Sequence, residues 1–343
     1  MKFQLQYLGL IIFLFATVTK AQTEKVKPEY SILFYNTENF FDCENDTTLT
    51  DLEFQINAEK NWTPKRFHLK AERLAKVITA AGKWNAPVLV GLCEIENRDV
   101  LEALVETDPI SQFHYKIIQQ DSPDPRGIDV ALLYRPDLFH PVDYAAIPVV
   151  DSANKKFHTR DILKVVGLVG QTDTLTVFVN HWPSRYGGLM ETQEKRILAA
   201  NTLRKALAEV VNASPDAKVV CMGDFNDSPT DKSLEKILTA KIPGSTEKVD
   251  LINLSRNWMS NEIQTIKSKY KWEVFDQFIV SKNFVNSLKG IVFKDAEIFK
   301  GSFLLEKDIP YGGVKPKRTY LGFKYHDGFS DHLPIVLHYE LSD

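Results

Sequence analysis

Short apolar runs that stop abruptly on polar residues recur along this chain and limit what it can fold into. "SILFY" runs into Asn36, with Glu38 and Asn39 just beyond. "VLVGLC" ends in Glu94, "LTVFV" in Asn180 and His181, and "KVVCMG" in Asp224 and Asn226. Runs of this length, without alternation, read as strands buried on both faces. Four such strands deliver a carboxylate, an amide or an imidazole at their C-terminal ends, the usual ligand edge of an α/β sheet.

Helical periods lie between the runs. Thr63-Pro64 caps and opens a helix with Phe67, Ala71, Leu74, Ile78 and Ala81 on one face and Gly82 as its stop. A second helix covers residues 99–106. A longer one near 191–211 turns Ile197, Ala200, Leu203, Leu207 and Val210 inward. "YKIIQQ", "IDVALLY" and "ILKVVGLV" read as further strands, and "FDQFIV", "GIVF" and "LPIVLHY" make the last part mostly strand. Strand–helix alternation with several strand–strand connections predicts mixed sheets flanked by helices, in one domain over residues 28–341. The segment 42–62 lacks a clear period and is expected to be a solvated surface loop. Its acids do not match EF-hand spacing.

Residues 1–21 stand apart. A lysine near the start, an apolar stretch and Thr19-Lys20-Ala21 predict a secretory signal cleaved before Gln22. The uninterrupted apolar run, residues 8–18, is shorter than the roughly 20 residues of a membrane span. The expectation is a secreted or periplasmic protein without a stable membrane anchor. Cleavage removes Lys2 and Lys20 and no acid, so the formal charge moves from −3 to −5. Such a chain has no global attraction for nucleic acid or anionic membrane, and phosphate binding must be local. Three cysteines, Cys43, Cys93 and Cys221, are too few and too far apart for a disulfide framework or a zinc site. Cys93 and Cys221 read as small core residues. No feature points to a protein partner.

The last part of the chain adds polar groups from the opposite direction. Asp276 precedes "QFIV", and Asp331-His332 precede "LPIVLHY". If these strands run antiparallel to the others, their starts share the same edge and all the groups line one cleft. Carboxylates and amides without a cysteine ligand suit a hard cation, Mg²⁺ or Mn²⁺. Histidines beside carboxylates suit proton transfer. Amides such as Asn180 can hold a phosphoryl oxygen without adding negative charge. This set fits metal-assisted hydrolysis of a phosphate ester. There is no phosphate-binding P-loop and no nucleophile elbow, which speaks against nucleotide-powered and serine-esterase chemistry.

"YNTENFFD", "GLCEIEN", "GIDVALLYRP", "VNHWPSR", "MGDFND", "VFDQFIVS" and "SDHLPI" occur in the order seen in the endonuclease/exonuclease/phosphatase superfamily. The pattern resembles its deoxyribonuclease-like secreted bacterial members over residues 30–340. The resemblance implies a four-layer α/β sandwich with two central mixed sheets, and a divalent-metal phosphoesterase. Asn36 and Glu94 resemble the metal-site pair, and Asp331 a second acidic contributor. Asp224 and Asn226 resemble the pair beside the scissile phosphate, and His181 a histidine at the leaving oxygen. His332 with Asp276 resembles the dyad on the attacking-water side, and Arg160 a phosphate-binding arginine. Asp129 stands near where pancreatic-type members orient the first histidine, about one residue out of register. Glu38 is either a further ligand or a polar strand end.

The resulting expectation is a secreted nuclease with nucleic acid as substrate. The alternative substrates are phospholipid head groups, inositol phosphates or other phosphomonoesters. Trp182 and Tyr186 are open between stacking on a base and packing in the core. "KPKR" (residues 315–318) is open between a solvated run and a basic rim. A binding module that had lost catalysis would show a broken set of site residues, and this set is complete.

Overall fold

The computed structural model describes residues 28–342, apart from 45–51, 84, 171–172 and 242–250. The expected signal segment therefore lies outside the described residues. Two six-stranded mixed sheets form the centre. The first runs, edge to edge, Gly290–Ile298, Ile335–Ser342, Glu29–Phe40, Leu89–Ile95, Asp129–Tyr134 and Lys116–Gln119. The second runs Phe139–Ile147, Ile162–Val169, Asp173–His181, Lys218–Asp224, Asp276–Ser281 and Leu251–Asn253.

The main core lies between the sheets, where Leu33 and Tyr35 of the first join Val177, Val220, Met222 and Phe278 of the second. Packing there is tight. A Cβ on Gly91 would lie 2.6 Å from the Met222 methyl group, so the strand approaches its neighbour only because that side chain is absent. The helices Pro64–Ala81 and Arg98–Val105 pack into this core cluster. The long helix Leu189–Ala213 covers the second sheet, with Leu203 and Leu207 against Phe178, Val219, Cys221 and Ile279. Helix, sheet, sheet and helix make the expected four layers.

The predicted helix ends hold. Thr63 caps the first helix by accepting from Arg66 N, and Pro64 opens it. Gly82 closes it without a left-handed turn (φ −80°). Its role is steric, because a Cβ there would lie 2.4 Å from Asn85 O.

One strand was not foreseen, and one expectation fails. The strand Phe139–Ile147 gives no strand signal in the sequence, because Pro141 interrupts it and its exposed residues mix polar His140 and Asp143 with apolar Val142 and Tyr144. It sits at a sheet edge, the one place where a missing N–H costs no ladder bond. The expected solvated loop over residues 42–62 lies partly outside the described residues, and the longer of its described parts, 52–62, is not simply solvated. Phe54 and Trp62 are buried with Phe41, Ile128 and Tyr320 in a small separate core, and Trp62 Nε1 donates to Phe41 O at 2.9 Å.

Candidate active site

The strand directions supply the convergence that the sequence leaves conditional. Asp276–Ser281 runs antiparallel to Lys218–Asp224, and Asp276 lies directly opposite Asp224. On the other side, Asp173–His181 runs parallel to Lys218–Asp224, with His181 beside Asp224. One sheet edge thus presents His181, Asp224 and Asp276 in a row. In the first sheet, Glu29–Phe40 and Leu89–Ile95 are parallel with Asn36 beside Cys93, which places Glu94 next to it. Ile335–Ser342 is antiparallel to Glu29–Phe40, so His332 arrives at the same end.

The strands curl out of the sheets there. Glu38, Asn39, Glu94 and Asn226 all have left-handed backbones, with φ between 50° and 59°. For a non-glycine residue this costs about 1–3 kcal/mol, and it concentrates where surrounding contacts over-determine the geometry. Those contacts are present. Glu94 Oε2 accepts from Asn39 N at 2.9 Å, and Asn36 Oδ1 from Glu38 N at 2.9 Å. Thr37 Oγ1 donates to Cys93 O at 2.8 Å, and Ser330 Oγ to Asn36 O at 2.7 Å.

Asp224 is the centre of the group. Its Oδ2 accepts from Asn36 Nδ2 at 3.1 Å, across the two sheets. It lies 3.8 Å from His181 Nε2 and 3.7 Å from His332 Nε2. His181 Nε2 is also 3.9 Å from Glu94 Oε1. His332 Nδ1 meets Asp276 Oδ2 at 2.7 Å, and both are buried.

Electrostatics split the two imidazoles. Burial and the charges of Arg160, Arg126 and His332 hold His181 well below the usual histidine range, so it is neutral. Burial would lower His332 as well, but the charges of Asp276 and Asp224 and the Asp276 hydrogen bond outweigh it and keep the ring protonated. Burial pushes the Asp224 carboxyl up to about 6, with Asp276 and Glu94 adding to the rise and His332 opposing it. Carboxylates crowded in this way fit a hard cation, which would relieve their repulsion. Glu94 supplies carboxylate oxygens there, while Asn36 directs its Nδ2 to Asp224 and its Oδ1 to Glu38 N. Asp224, Asp276 and His332 also have ligand atoms within 4.8 Å of one another, but Nδ1 of His332 is committed to Asp276 Oδ2 at 2.7 Å. The Glu94 side is therefore the better cation site.

Not every expected residue reaches the cleft. Asn180 is fully buried: its amide donates to Phe178 O and Met222 O, both at 3.3 Å, and accepts from Trp182 Nε1 at 3.2 Å. It holds the sheet rather than a substrate. Arg160 is also buried, with Nη1 on Asp124 at 2.8 Å and Nη2 on Trp182 O at 2.7 Å. It stands behind His181 and acts on it by charge. Asp129 does not orient His181. It accepts from Ser122 N, Ser122 Oγ and Gln119 Nε2, while His181 Nδ1 has no hydrogen-bond partner among the described residues. Asn226 turns its amide onto Trp182 O at 3.0 Å, so its direction comes from the turn and not from strand alternation with Asp224. Trp182 is core, edge-on to Phe225, whereas Tyr186 is 94% exposed.

Three residues escaped the sequence reading. Arg126, from "DPRG" just before the strand Asp129–Tyr134, donates to Asn39 Oδ1 at 2.7 Å and lies 3.8 Å from Glu94 Oε1. Its place ahead of a strand that runs back from the cleft edge was the available signal. Asp227 lies in the turn that follows the strand Lys218–Asp224. It is buried and accepts from Arg196 Nε at 2.7 Å, Ser233 Oγ at 2.6 Å and Arg185 Nη2 at 3.2 Å. Arg185 Nε in turn holds Asn226 O at 2.8 Å, so this buried network braces the turn carrying Asn226. Lys70, on the first helix, is fully buried beneath Glu38 and donates to Thr319 Oγ1 at 2.6 Å. No sequence signal marked it.

The two packed sheets and the carboxylate–histidine cleft at their common end are the scaffold of a phosphoester hydrolase. A model of the endonuclease/exonuclease/phosphatase family matches residues 31–341, and the chain belongs to that family. Solved structures agree in fold. The human Nocturnin catalytic domain with bound sulfate superposes with a TM-score of 0.56 at 16% identity, covering 92% of this chain and 96% of that one. TDP2 from Caenorhabditis elegans gives 0.55 at 14% identity, covering 91% and 75%. A family protein from Bacteroides thetaiotaomicron gives 0.55 at 13%, covering 92% and 96%. No curated protein matches the sequence significantly.

Proposed function

We propose that this protein is an exported, Mg²⁺- or Mn²⁺-dependent phosphodiesterase whose substrate is nucleic acid. The observation that carries the reading is an unbroken series of approaches under 4 Å, from Glu94 to His181, from His181 to Asp224 and from Asp224 to His332. When bound, the metal would supply Lewis-acid polarisation of the phosphate beside Glu94 and Asn36. The remaining work falls to the chain. His332, kept cationic by Asp276, presents Nε2 to a phosphate oxygen and stabilises the charge that develops there. Asp224, with its raised carboxyl, accepts the proton of the attacking water. Asn36 fixes the Oδ2 atom that receives it. Neutral His181 lies on the other side of Asp224 and hydrogen-bonds the leaving oxygen. Arg126 beside Glu94 supplies local positive charge that the acidic chain lacks overall.

A substrate panel tests this: plasmid DNA, RNA, bis-nitrophenyl phosphate, lysophospholipid and inositol phosphates, each with EDTA and with Mg²⁺ restored. The expected result is chelator-sensitive cleavage of the nucleic acids and the diester, weakening steeply with salt. Preference for a lipid or inositol phosphate would replace the substrate class. Hydrolysis indifferent to EDTA would overturn the metal requirement.

A further inference from the structure

Beside the cleft, two more carboxylates face each other, and a guanidinium lies between them. Arg318 Nε donates to Glu38 Oε1 at 3.0 Å, and its Nη2 donates to Asp331 Oδ2 at 2.8 Å. The second oxygen of Glu38 is taken by Thr319 N at 2.6 Å. Glu38 is buried and follows Asn36 by two residues, while Asp331 directly precedes His332. The Arg318 side chain remains 43% exposed, and among the described residues its Nη1 has no hydrogen-bond partner. Its charge is also felt by Glu94.

A pair of acids at this spot would be a natural second cation site, since many phosphoryl-transfer centres clamp the phosphate between two metal ions. We infer that Arg318 is a built-in cation that replaces a second metal ion, so that the cleft takes one divalent ion, on the Glu94 side, and Arg318 gives the second positive charge to the phosphate. This rests on the metal-dependent reading above.

The physical case is one of competition for the same oxygens. A metal between Glu38 and Asp331 would have to displace two charge-assisted hydrogen bonds and leave a guanidinium in a crowded, half-buried place. Three of the four carboxylate oxygens already have donors. Both oxygens of Glu38 are among them, so that residue has little left to offer a hard cation. The planar fork of arginine can hold two carboxylates with one edge and still present N–H groups to a phosphate with the other, which a lysine ammonium does less well. Lys70 Nζ donates to Thr319 Oγ1 and Phe329 O, and its charge acts on Glu38 beside that of Arg318. On this account Asp331 serves Arg318 and not a metal.

The test counts Mn²⁺ bound to the full chain without substrate, by equilibrium dialysis with electron paramagnetic resonance of free Mn²⁺. Wild type is expected to bind one ion and Arg318→Lys one. Arg318→Ala is expected to bind two, and Arg318→Ala combined with Glu38→Gln to return to one. If Arg318→Ala does not give a cooperative melt, Arg318→Gln takes its place. Two ions on wild type would overturn the inference and leave the metal-dependent reading standing. So would a single ion on a folded Arg318→Ala or Arg318→Gln. No ion on wild type would overturn the metal-dependent reading itself, and this inference with it.

Discussion

Asn36 Nδ2 donates to Asp224 Oδ2 at 3.1 Å, and this bond joins the two sheets at the floor of the cleft. Neither sheet alone could build the cleft, because Asn36 and Glu94 come from one sheet and Asp224 from the other. Asp224→Asn should therefore leave the fold intact while lowering kcat on bis-nitrophenyl phosphate by roughly 10²–10⁴-fold, the range of a lost general base. Glu94→Ala should do comparable damage. Circular dichroism and steady-state kinetics on the purified variants check both, and near-normal turnover with native spectra would sink the assignments.

The Asp276–His332 pair makes a separate prediction. Asp276 is buried and opposes the neutralisation of the ring that burial alone would cause. In Asp276→Asn the His332 titration, followed by NMR, should move down. The sign also fixes a stability effect. A raised imidazole stabilises the fold below its unfolded value, and that contribution is lost as pH rises through the folded value. The variant should lose most stability relative to wild type at mildly acidic pH. An unmoved His332 titration would show that Asp276 does not support the charge.

Asp227 predicts a structural cost rather than a catalytic one. Arg196 is fully buried and its Nε rests on Asp227 Oδ1 at 2.7 Å. Asp227→Ala would leave that guanidinium underpaired, which typically costs about 3–5 kcal/mol. Urea unfolding should show the midpoint falling with the slope unchanged. A midpoint near that of wild type would mean that Arg196 finds other partners.

Asp129 predicts a pH dependence away from the cleft. Burial raises its carboxyl to about 7, although Ser122 and Gln119 hydrogen bonds pull it back. A carboxyl raised on folding binds its proton more tightly in the native state, so stability falls as pH climbs from the unfolded value towards 7, then levels. Asp129→Asn removes that slope. Its stability relative to wild type, followed by thermal melting, should rise between pH 5 and pH 8 by at most roughly 3 kcal/mol, because only the part of the rise from pH 5 to about 7 falls in that interval. A constant difference across that interval would show that the carboxyl titrates normally.

Legibility followed burial. The strands with wholly apolar runs, such as Leu89–Ile95 and Lys218–Asp224, announced themselves, because both faces are covered and every residue must be apolar. The edge strand Phe139–Ile147 did not, because one covered side imposes little pattern. Among the site residues, those at strand ends were legible from the abrupt change of polarity. Asn180 and Asn226 show the limit of that rule. Both follow a strand core, but one amide ties down the interior and the other the turn. Asp227 and Arg126 were misjudged or missed because their partners, Arg196, Arg185, Asn39 and Glu94, are distant in sequence.

By itself, the sequence determined which segments are buried strand, which helices cover them, and which polar groups stand at the strand ends, since these follow from local periodicity and composition. The ordered motifs also placed the chain in its family. Only the tertiary structure decided how those ends meet. The antiparallel registers that set Asp276 against Asp224, the cross-sheet bond from Asn36, and the guanidinium of Arg318 between Glu38 and Asp331 join residues separated by 13 to 280 positions. Contacts at that range depend on strand order and sheet packing. The same packing sets the electrostatics, because burial lowers both His181 and His332, and only His332 has the Asp276 hydrogen bond and the carboxylate charges that raise it.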